Sequence, residues 1–382
     1  GVIMRNGQRR GAAFRFAAAA LAVWSAGTVR AASLMPHEVA LLVNRNSADS
    51  VEIANQYALL RGIPDIQVVF LDVPGRALVP PYEITWEQYQ SRIRTPVREA
   101  LEKRGVAEQS LAWVFSSDFP VRVRAPGLQP LALTGATLLE DALPGGEALA
   151  KGVWRSPFFG GPDGDGGRLQ AGRFLRQMLA ETAPARPIPS MMLSFTRSRG
   201  LSVPETEQLL QRAAAADGSR PRGGIYFVRT GDAKRSTPRH WQYEPAARIL
   251  SKMGVPVSVR DEPVRDAEIM GYLTGAQRVD PRELGRLNAG SMTDHLTSFA
   301  AVFDTHQQTK LTEWLRAGAT VSAGTVTEPL SIWTKFPTAF FFISYVRGCT
   351  ALESMLQSVR SPLQLLTVGD PLCAPYIEPG SM

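Results

Sequence analysis

Short apolar runs alternate with amphipathic stretches along most of the chain. The first run, residues 38–43, is followed by a polar segment with helix-capping residues and by apolar positions at helical spacing in 51–61. Gly62 and Pro64 end this helix, and a second apolar run, IQVVFLDV, follows. A strand, a helix and a second strand with a short return predict a βαβ unit and therefore a parallel sheet.

The same alternation continues to the C-terminus. Further strands are predicted in SLAWVFSSDFPVRV, PSMMLSF, GGIYFV, VPVSV, EIMGYLTG, ATVSAG and LQLLTVG. Helical periodicity lies between them, and Pro96 marks a break or a start within TWEQYQSRIRTPVREALEKRG. Residues 119–172 are rich in Gly and Pro and predict loops over the sheet. The pattern predicts an α/β fold with a layered, mostly parallel sheet and helices on both faces.

The chain has no linker that divides it cleanly. One large domain and two fused α/β halves are therefore both compatible with the pattern. If there are two halves, we expect an N-terminal α/β half with Gly/Pro-rich loops in 33–215 and a C-terminal half in 216–382.

The first 32 residues have the pattern of a secretory signal peptide. Four arginines precede an apolar run at Phe16–Ala26, and small residues follow up to a cleavage point near Ala31 or Ala32. The run is shorter than the roughly 20 residues that span a bilayer. We expect Met4 to be the start, and export by the Sec or the twin-arginine route to the periplasm or the cell exterior.

Removal of this segment changes the charge argument. Residues 1–32 hold five arginines and no acidic residue, so the net charge falls from +7 to +2. This excludes the basic footprint of a nucleic-acid-binding protein. No motif predicts a metal, a cofactor or a later membrane span. In an oxidising compartment Cys349 and Cys373 form either a disulfide or two buried thiols.

Candidate catalytic residues are concentrated in GSMTDHLTSFAAVFD. Asp294, His295 and Ser298 are the residue types of a hydrolytic triad, which requires the nucleophile and the base to be within hydrogen-bond reach. If the segment is a strand, His295 shares a face with Thr297, whereas Asp294 and Ser298 face the other way. In a helical turn or a bend, by contrast, positions i and i+3 such as His295 and Ser298 can meet. The stretch is therefore a candidate site, and a strand conformation disfavours a triad made of its own residues.

Two other strand ends carry polar side chains. RTGDAKRSTPRHW contains Asp232, Arg235 and Arg239, which are candidates for ligand binding because guanidinium groups bind carboxylates or phosphates in a bidentate manner. The alternative is a solvated loop in which Asp232 pairs with its own arginines. Glu328 in GTVTEP is a further catalytic candidate, and its alternative role is that of a turn residue.

GGPDGDGGR places Asp163 and Asp165 in a Gly-rich loop, which is compatible with calcium. The twelfth position of an EF-hand loop, normally Glu, is Phe174, so the pattern favours a surface loop.

Several motifs in one order resemble a family of exported bacterial proteins that co-occur with exosortase sorting systems. These motifs are LLVNRNSADSVEIANQYALLRGIP, LTGATLLEDALP, DHLTSF, GATVSAGTVTEP and GDPLCAPY. The resemblance covers nearly the whole chain after residue 32. It implies a place in the bacterial envelope but no particular activity.

A more distant likeness is to gingipain-type cysteine peptidases, which have a caspase-like α/β fold. GYLTG (271–275) stands where those peptidases have Gly-His-Gly, and DHLTSF stands where a strand ends in the nucleophilic Cys. Thr274 then replaces the histidine, and Thr297 or Ser298 replaces the cysteine. The resemblance implies a caspase-like fold without the usual Cys–His dyad.

Besides a purely structural envelope component, which would show no polar cleft at the strand ends, two functional hypotheses follow. The first is a non-catalytic or divergent protein of this fold that binds a protein or polysaccharide partner in the envelope. The second is a hydrolase with a composite site of His295, Ser298, Asp232 and Glu328. The hydrolase requires His295 to lie within about 3.5 Å of a hydroxyl or carboxylate in a shared cleft.

Overall fold

The computed structural model describes residues 33–140, 142–161, 175–176, 179–180 and 186–378. The expected signal peptide and the loop with Asp163 and Asp165 lie outside the described residues.

Thirteen strands are present in the described part of the chain, and they form two sheets. They are β1 Val39–Asn44, β2 Val68–Leu71, β3 Glu83–Thr85, β4 Ala112–Phe115, β5 Arg122–Arg124, β6 Leu131–Ala132, β7 Ser190–Met192, β8 Gly224–Val228, β9 Val257–Arg260, β10 Glu268–Gly275, β11 Arg286–Leu296, β12 Val321–Thr325 and β13 Leu365–Gly369. Ten of them form one sheet in the order β2-β1-β4-β7-β13-β12-β11-β10-β8-β9, and β3, β5 and β6 form a smaller one.

The helices lie between the strands, as the periodicity predicts. They are α1 Ala48–Arg61, α2 Trp86–Tyr89, α3 Thr95–Lys103, α4 Leu133–Ala136, α5 Gly146–Ala150, α6 Val203–Ala216, α7 Ala233–Ser236, α8 His240–Lys252, α9 Leu311–Arg316, α10 Phe341–Val346 and α11 Ala351–Ser358. Their ends follow local chemistry: Ser47 caps the start of α1 through a hydrogen bond from the Ser50 amide, and Gly62 ends it with a φ of 67°.

Parallel pairing dominates the large sheet. The pairs among β1, β2, β4 and β7 are parallel, as are the pairs that link β8, β9, β10, β11 and β12. β13 is antiparallel to β12 and meets β7 at a single residue pair. Most of these strands are buried on both faces of the sheet, and their sequences are therefore apolar at almost every position.

Helices cover both faces of the sheet. In β11, Asp294 contacts Arg239 at the start of α8, whereas the neighbouring His295 contacts Trp314 of α9. Because successive side chains of a strand point to opposite faces, these two contacts place helices on opposite faces of β11. The predicted α/β class, with its layered and mostly parallel sheet, is confirmed.

One local expectation is confirmed, that of a helix start at Pro96, and another needs revision. The stretch around Pro96 contains a π-helical turn at Gln90–Arg94, after which Pro96 occupies the first turn of α3, where its missing N–H is not needed. Residues 119–172 were expected to be loops, but their described part contains β5, β6, α4 and α5. These elements are two to five residues long, too short for a periodic signal.

Within the described ranges, the structure contains no helix with the length and apolar character required to cross a membrane.

Candidate functional site

The strand ends singled out in the sequence are neighbours. β10 pairs with β11 in parallel, with Thr274 opposite His295 and Gly275 opposite Leu296. On its other side β10 pairs with β8, with Thr274 opposite Val228. The segments that follow β8, β10 and β11 therefore meet at one edge of the sheet, which is called the carboxyl edge below.

At this edge, Arg235 links the two predicted site segments. Its Nη1 lies 2.9 Å from Asp232 Oδ2, and its Nε donates to Thr297 Oγ1 at 3.2 Å. The side chains of Arg235 and Asp232 are 22% and 26% exposed. The ligand-binding candidates after β8 and the end of the DHLTS strand thus come together in a partly accessible cluster.

Thr297 begins the edge loop, residues 297–310, which is firmly held. Gln308 Oε1 accepts hydrogen bonds from the Thr297 hydroxyl and the Phe299 amide, both at 2.7 Å. Lys310 Nζ donates to the carbonyls of Phe299 and Gln307 at 2.8 and 2.6 Å. Burial lowers the pKa of Lys310 to about 8. These bonds hold the two ends of the loop, at 297–299 and 307–310, against each other.

The loop also contacts the segment that follows β7. Ser198 Oγ donates to the Phe303 carbonyl at 2.7 Å, and the rings of Phe195 and Phe303 stack with their centroids 4.4 Å apart. The segments that follow β7 and β11 therefore meet across the intervening strands β13 and β12.

A groove of about 360 Å³ runs beside the edge loop. Its polar lining includes Arg122, Asp304, Thr305, Gln307 and Thr327, and its apolar lining includes Phe299. Arg122 Nε is held by the Val326 carbonyl at 2.8 Å, and its Nη2 lies 3.8 Å from Asp304 Oδ1. The groove thus presents a carboxylate, an amide, hydroxyls and a guanidinium next to an aromatic side chain.

Arg239 and Asp294 also come together, but inside the protein. Both side chains are fully buried, and Arg239 Nη1 lies 2.5 Å from Asp294 Oδ2. The guanidinium also donates to the carbonyls of Pro337, at 3.0 Å, and Thr274. Burial raises the pKa of Asp294 although the Arg239 charge acts in the opposite direction. This pair joins the start of α8 to β11 and to the segment before α10.

His295 lies on the opposite face of β11 from Asp294 and is also buried. Its Nδ1 accepts a hydrogen bond from Trp314 Nε1 at 2.9 Å. Burial lowers the pKa of His295 to about 3, assisted by the positive charge of Arg239. The imidazole is therefore neutral near pH 7, and its Nδ1 lone pair is already used by the indole.

The other hydrolase candidates do not gather around His295. Among the described residues, no hydrogen bond joins His295 to Ser298, Asp232 or Glu328. The backbone carbonyl of Ser298 accepts from Thr325 Oγ1 at 2.8 Å, and Glu328 Oε1 accepts from the Leu330 amide at 2.8 Å. This local contact is typical of a turn residue, which was the alternative to a catalytic role for Glu328.

The two cysteines are buried thiols away from this cluster. Cys373 Sγ donates to the Ala213 carbonyl at 3.4 Å and lies 3.5 Å from the Tyr345 hydroxyl. Burial raises the pKa of Cys373 well above its usual value, so this thiol is a poor nucleophile. Cys349 lies 3.7 Å from Gln357 Nε2.

Comparisons with known proteins concern the fold only. The chain matches no protein-family model and no curated protein sequence. Among solved structures, it is similar to the crystal structure of the Arg-specific cysteine proteinase gingipain R, with a TM-score of 0.47 and 10% identity over 90% of this chain and 79% of that chain. It is also similar to a structure described as a protease, with a TM-score of 0.44 and 7% identity over 90% of this chain and 80% of that chain.

Sequence reasoning missed Arg122, Gln308 and Lys310. Arg122 belongs to the small sheet, far from the edge loop in sequence, and its position depends on tertiary packing. Gln308 and Lys310 stand in QQTK, which looks like an exposed polar start of a helix. The positive φ of Gln308, 65°, and the burial of Lys310 become visible only in the folded chain.

Proposed function

We propose that this protein is a non-catalytic binding protein of the bacterial envelope, with its binding surface at the carboxyl edge. Its partner there is a protein or a polysaccharide. The observation that carries the proposal is the environment of His295: the only histidine in the candidate strand accepts a hydrogen bond from Trp314 instead of facing a nucleophile. A general base must be within hydrogen-bond reach of the proton that it removes.

The groove favours a polysaccharide over a protein. Sugar hydroxyls both donate and accept hydrogen bonds, and Asp304, Gln307 and Arg122 supply the matching acceptors and donors. The apolar face of a sugar ring can pack on Phe299. A held loop reduces the entropy lost when a ligand binds, which suits a surface that contacts a flexible polymer.

A binding experiment tests this proposal. Residues 33–382 would be purified and run by affinity electrophoresis in gels with and without the polysaccharide fraction of the host envelope. We expect retardation that Asp304→Asn weakens by about tenfold, since hydrogen bonds to charged groups contribute about 1.5–3 kcal/mol. Asp72→Asn is the matched control, because Asp72 also pairs with an arginine, Arg45, but lies outside the groove.

Two outcomes contradict the proposal. Retardation that is equal in Asp304→Asn and Asp72→Asn would place the binding surface elsewhere. Hydrolysis of a peptide or polysaccharide that survives Cys349→Ala and Cys373→Ala but is lost in Ser298→Ala would show a hydrolase instead.

The envelope location has its own test. We propose cleavage near Ala31 or Ala32 and release of the remaining chain outside the cytoplasm. N-terminal sequencing of the protein from fractionated cells should then begin within a few residues of Ser33. An N-terminus near Met4 would contradict export with cleavage.

A further inference from the structure

A second cavity lies beside α9, on the side where the segment after β7 approaches the turn at Pro281–Glu283. Its volume is about 440 Å³, within the range of about 300–1,000 Å³ of small-molecule sites. The charged side chains in its lining are Arg199, Asp280, Arg282, Glu313 and Arg316. None of these residues was a candidate in the sequence, and none belongs to the carboxyl-edge groove.

Three of these five charges are already neutralised. Arg282 binds Asp280 in a bidentate manner, with Nε to Oδ1 at 2.9 Å and Nη2 to Oδ2 at 2.7 Å. Arg316 Nε binds Glu205 Oε1 at 2.8 Å, outside the cavity lining. These arginines and Asp280 therefore have little net charge to offer a ligand.

Arg199 and Glu313 differ from the rest. Within the described residues, neither forms an ion pair with an oppositely charged side chain, and they do not pair with each other. The Arg199 guanidinium contacts the His306 imidazole. One carboxylate oxygen of Glu313 accepts from the Lys310 amide at 3.3 Å, as part of the cap of α9. Within the described residues, one positive and one negative group in the same cavity therefore have no ion-pair partner, although the Glu313 carboxylate acts electrostatically on Lys310 and Arg282.

We infer that this cavity binds a small zwitterion, a molecule with one carboxylate and one ammonium group, such as a free amino acid or a short peptide. The carboxylate would pair with Arg199 and the ammonium group with Glu313. Such a ligand matches both charges at once, whereas a simple anion or cation would bring its charge toward one of them unfavourably. This inference is independent of the carboxyl-edge proposal, because the two sites have no lining residue in common.

The test uses three forms of one small probe, alanyl-alanine. The free dipeptide is a zwitterion, the N-acetyl form keeps only the carboxylate, and the C-terminal amide keeps only the ammonium group. Binding to residues 33–382 would be measured by isothermal titration calorimetry. We expect the free dipeptide to bind at least about tenfold more tightly than either blocked form, which corresponds to about 1.4 kcal/mol.

Two variants assign the charges. Arg199→Gln should remove the preference for the free carboxylate over the amide and keep the preference for the free amine. Glu313→Gln should do the reverse, and Gln at this position retains the capping role of Glu at the start of α9. Each variant would first be checked for an unchanged melting temperature.

A double variant, Asp280→Asn with Arg282→Gln, is the control. It removes a neutralised pair from the same cavity without changing the net charge, so dipeptide affinity should change by less than about threefold. The inference is overturned if the free dipeptide does not bind, if the blocked forms bind equally well, or if the preferences survive in Arg199→Gln and Glu313→Gln.

Discussion

Arg235 and Arg239 stand four positions apart in the segment after β8, and each pairs with an aspartate, yet their surroundings are opposite. The Arg235–Asp232 side chains are 22% and 26% exposed, and Arg235 also contacts Thr297 at the carboxyl edge. The Arg239–Asp294 side chains are fully buried. The same pairing of residue types therefore serves an accessible surface in one case and the interior in the other.

The difference follows from what surrounds each guanidinium. Arg239 has two backbone carbonyls, those of Pro337 and Thr274, as well as its carboxylate, and these acceptors offset the loss of water. Arg235 keeps contact with water and needs fewer protein partners. A ligand can therefore reach Arg235 but not Arg239, although the sequence predicts both as ligand-binding residues.

The largest expected effect is on the buried pair. Arg239→Met would leave the Asp294 carboxylate buried without a counter-charge, and we expect it to lower the free energy of unfolding by about 3–5 kcal/mol. Urea unfolding followed by circular dichroism measures this. The double variant Arg239→Met with Asp294→Leu should recover most of the loss, because no charge then remains buried. A loss below about 1 kcal/mol in the single variant would mean that Asp294 is not paired as described.

An intermediate effect is expected from His295, the neighbour of Asp294 on the other face. Its pKa is lowered to about 3 in the folded chain, whereas an unfolded histidine titrates near 6.5. As the pH falls below 6.5 the unfolded chain takes up a proton that the folded chain does not, so stability decreases. Between pH 7 and pH 5 this contribution amounts to about 2 kcal/mol.

The measurement is the difference between the wild type and His295→Gln in urea unfolding at the two pH values. The wild type should lose about 2 kcal/mol more than the variant between pH 7 and pH 5. Equal losses would show that His295 takes up its proton in the folded state and is more accessible than the Trp314 contact implies.

The smallest effect is expected from the exposed pair. Arg235→Gln should change the free energy of unfolding by less than about 1 kcal/mol, since partly exposed ion pairs contribute little. The melting temperature in a thermal scan checks this against Arg239→Met. A loss as large as that of Arg239→Met would show that both arginines are structural, which would contradict the distinction between an accessible and a buried pair.

The sequence predicts the class of fold well because buried parallel strands such as AWVF and GIYFV are apolar throughout and are separated by periodic helices. It also predicts that Asp294 and His295 face opposite ways, since strand geometry alone requires this. It does not distinguish Arg235 from Arg239, because burial depends on the segment at Pro337, which is almost 100 residues away. Nor does it show that the Trp314 indole donates to His295 Nδ1, because this contact depends on how α9 packs on β11.

The central claim is that the carboxyl edge binds a partner and leaves it intact. The most direct measurement is the chain length of the envelope polysaccharide, by size-exclusion chromatography, after it has been retained on immobilised residues 33–382 and recovered. We predict retention through the groove and recovery at unchanged length. Recovery of shortened chains, with the shortening abolished by Ser298→Ala, would contradict the account.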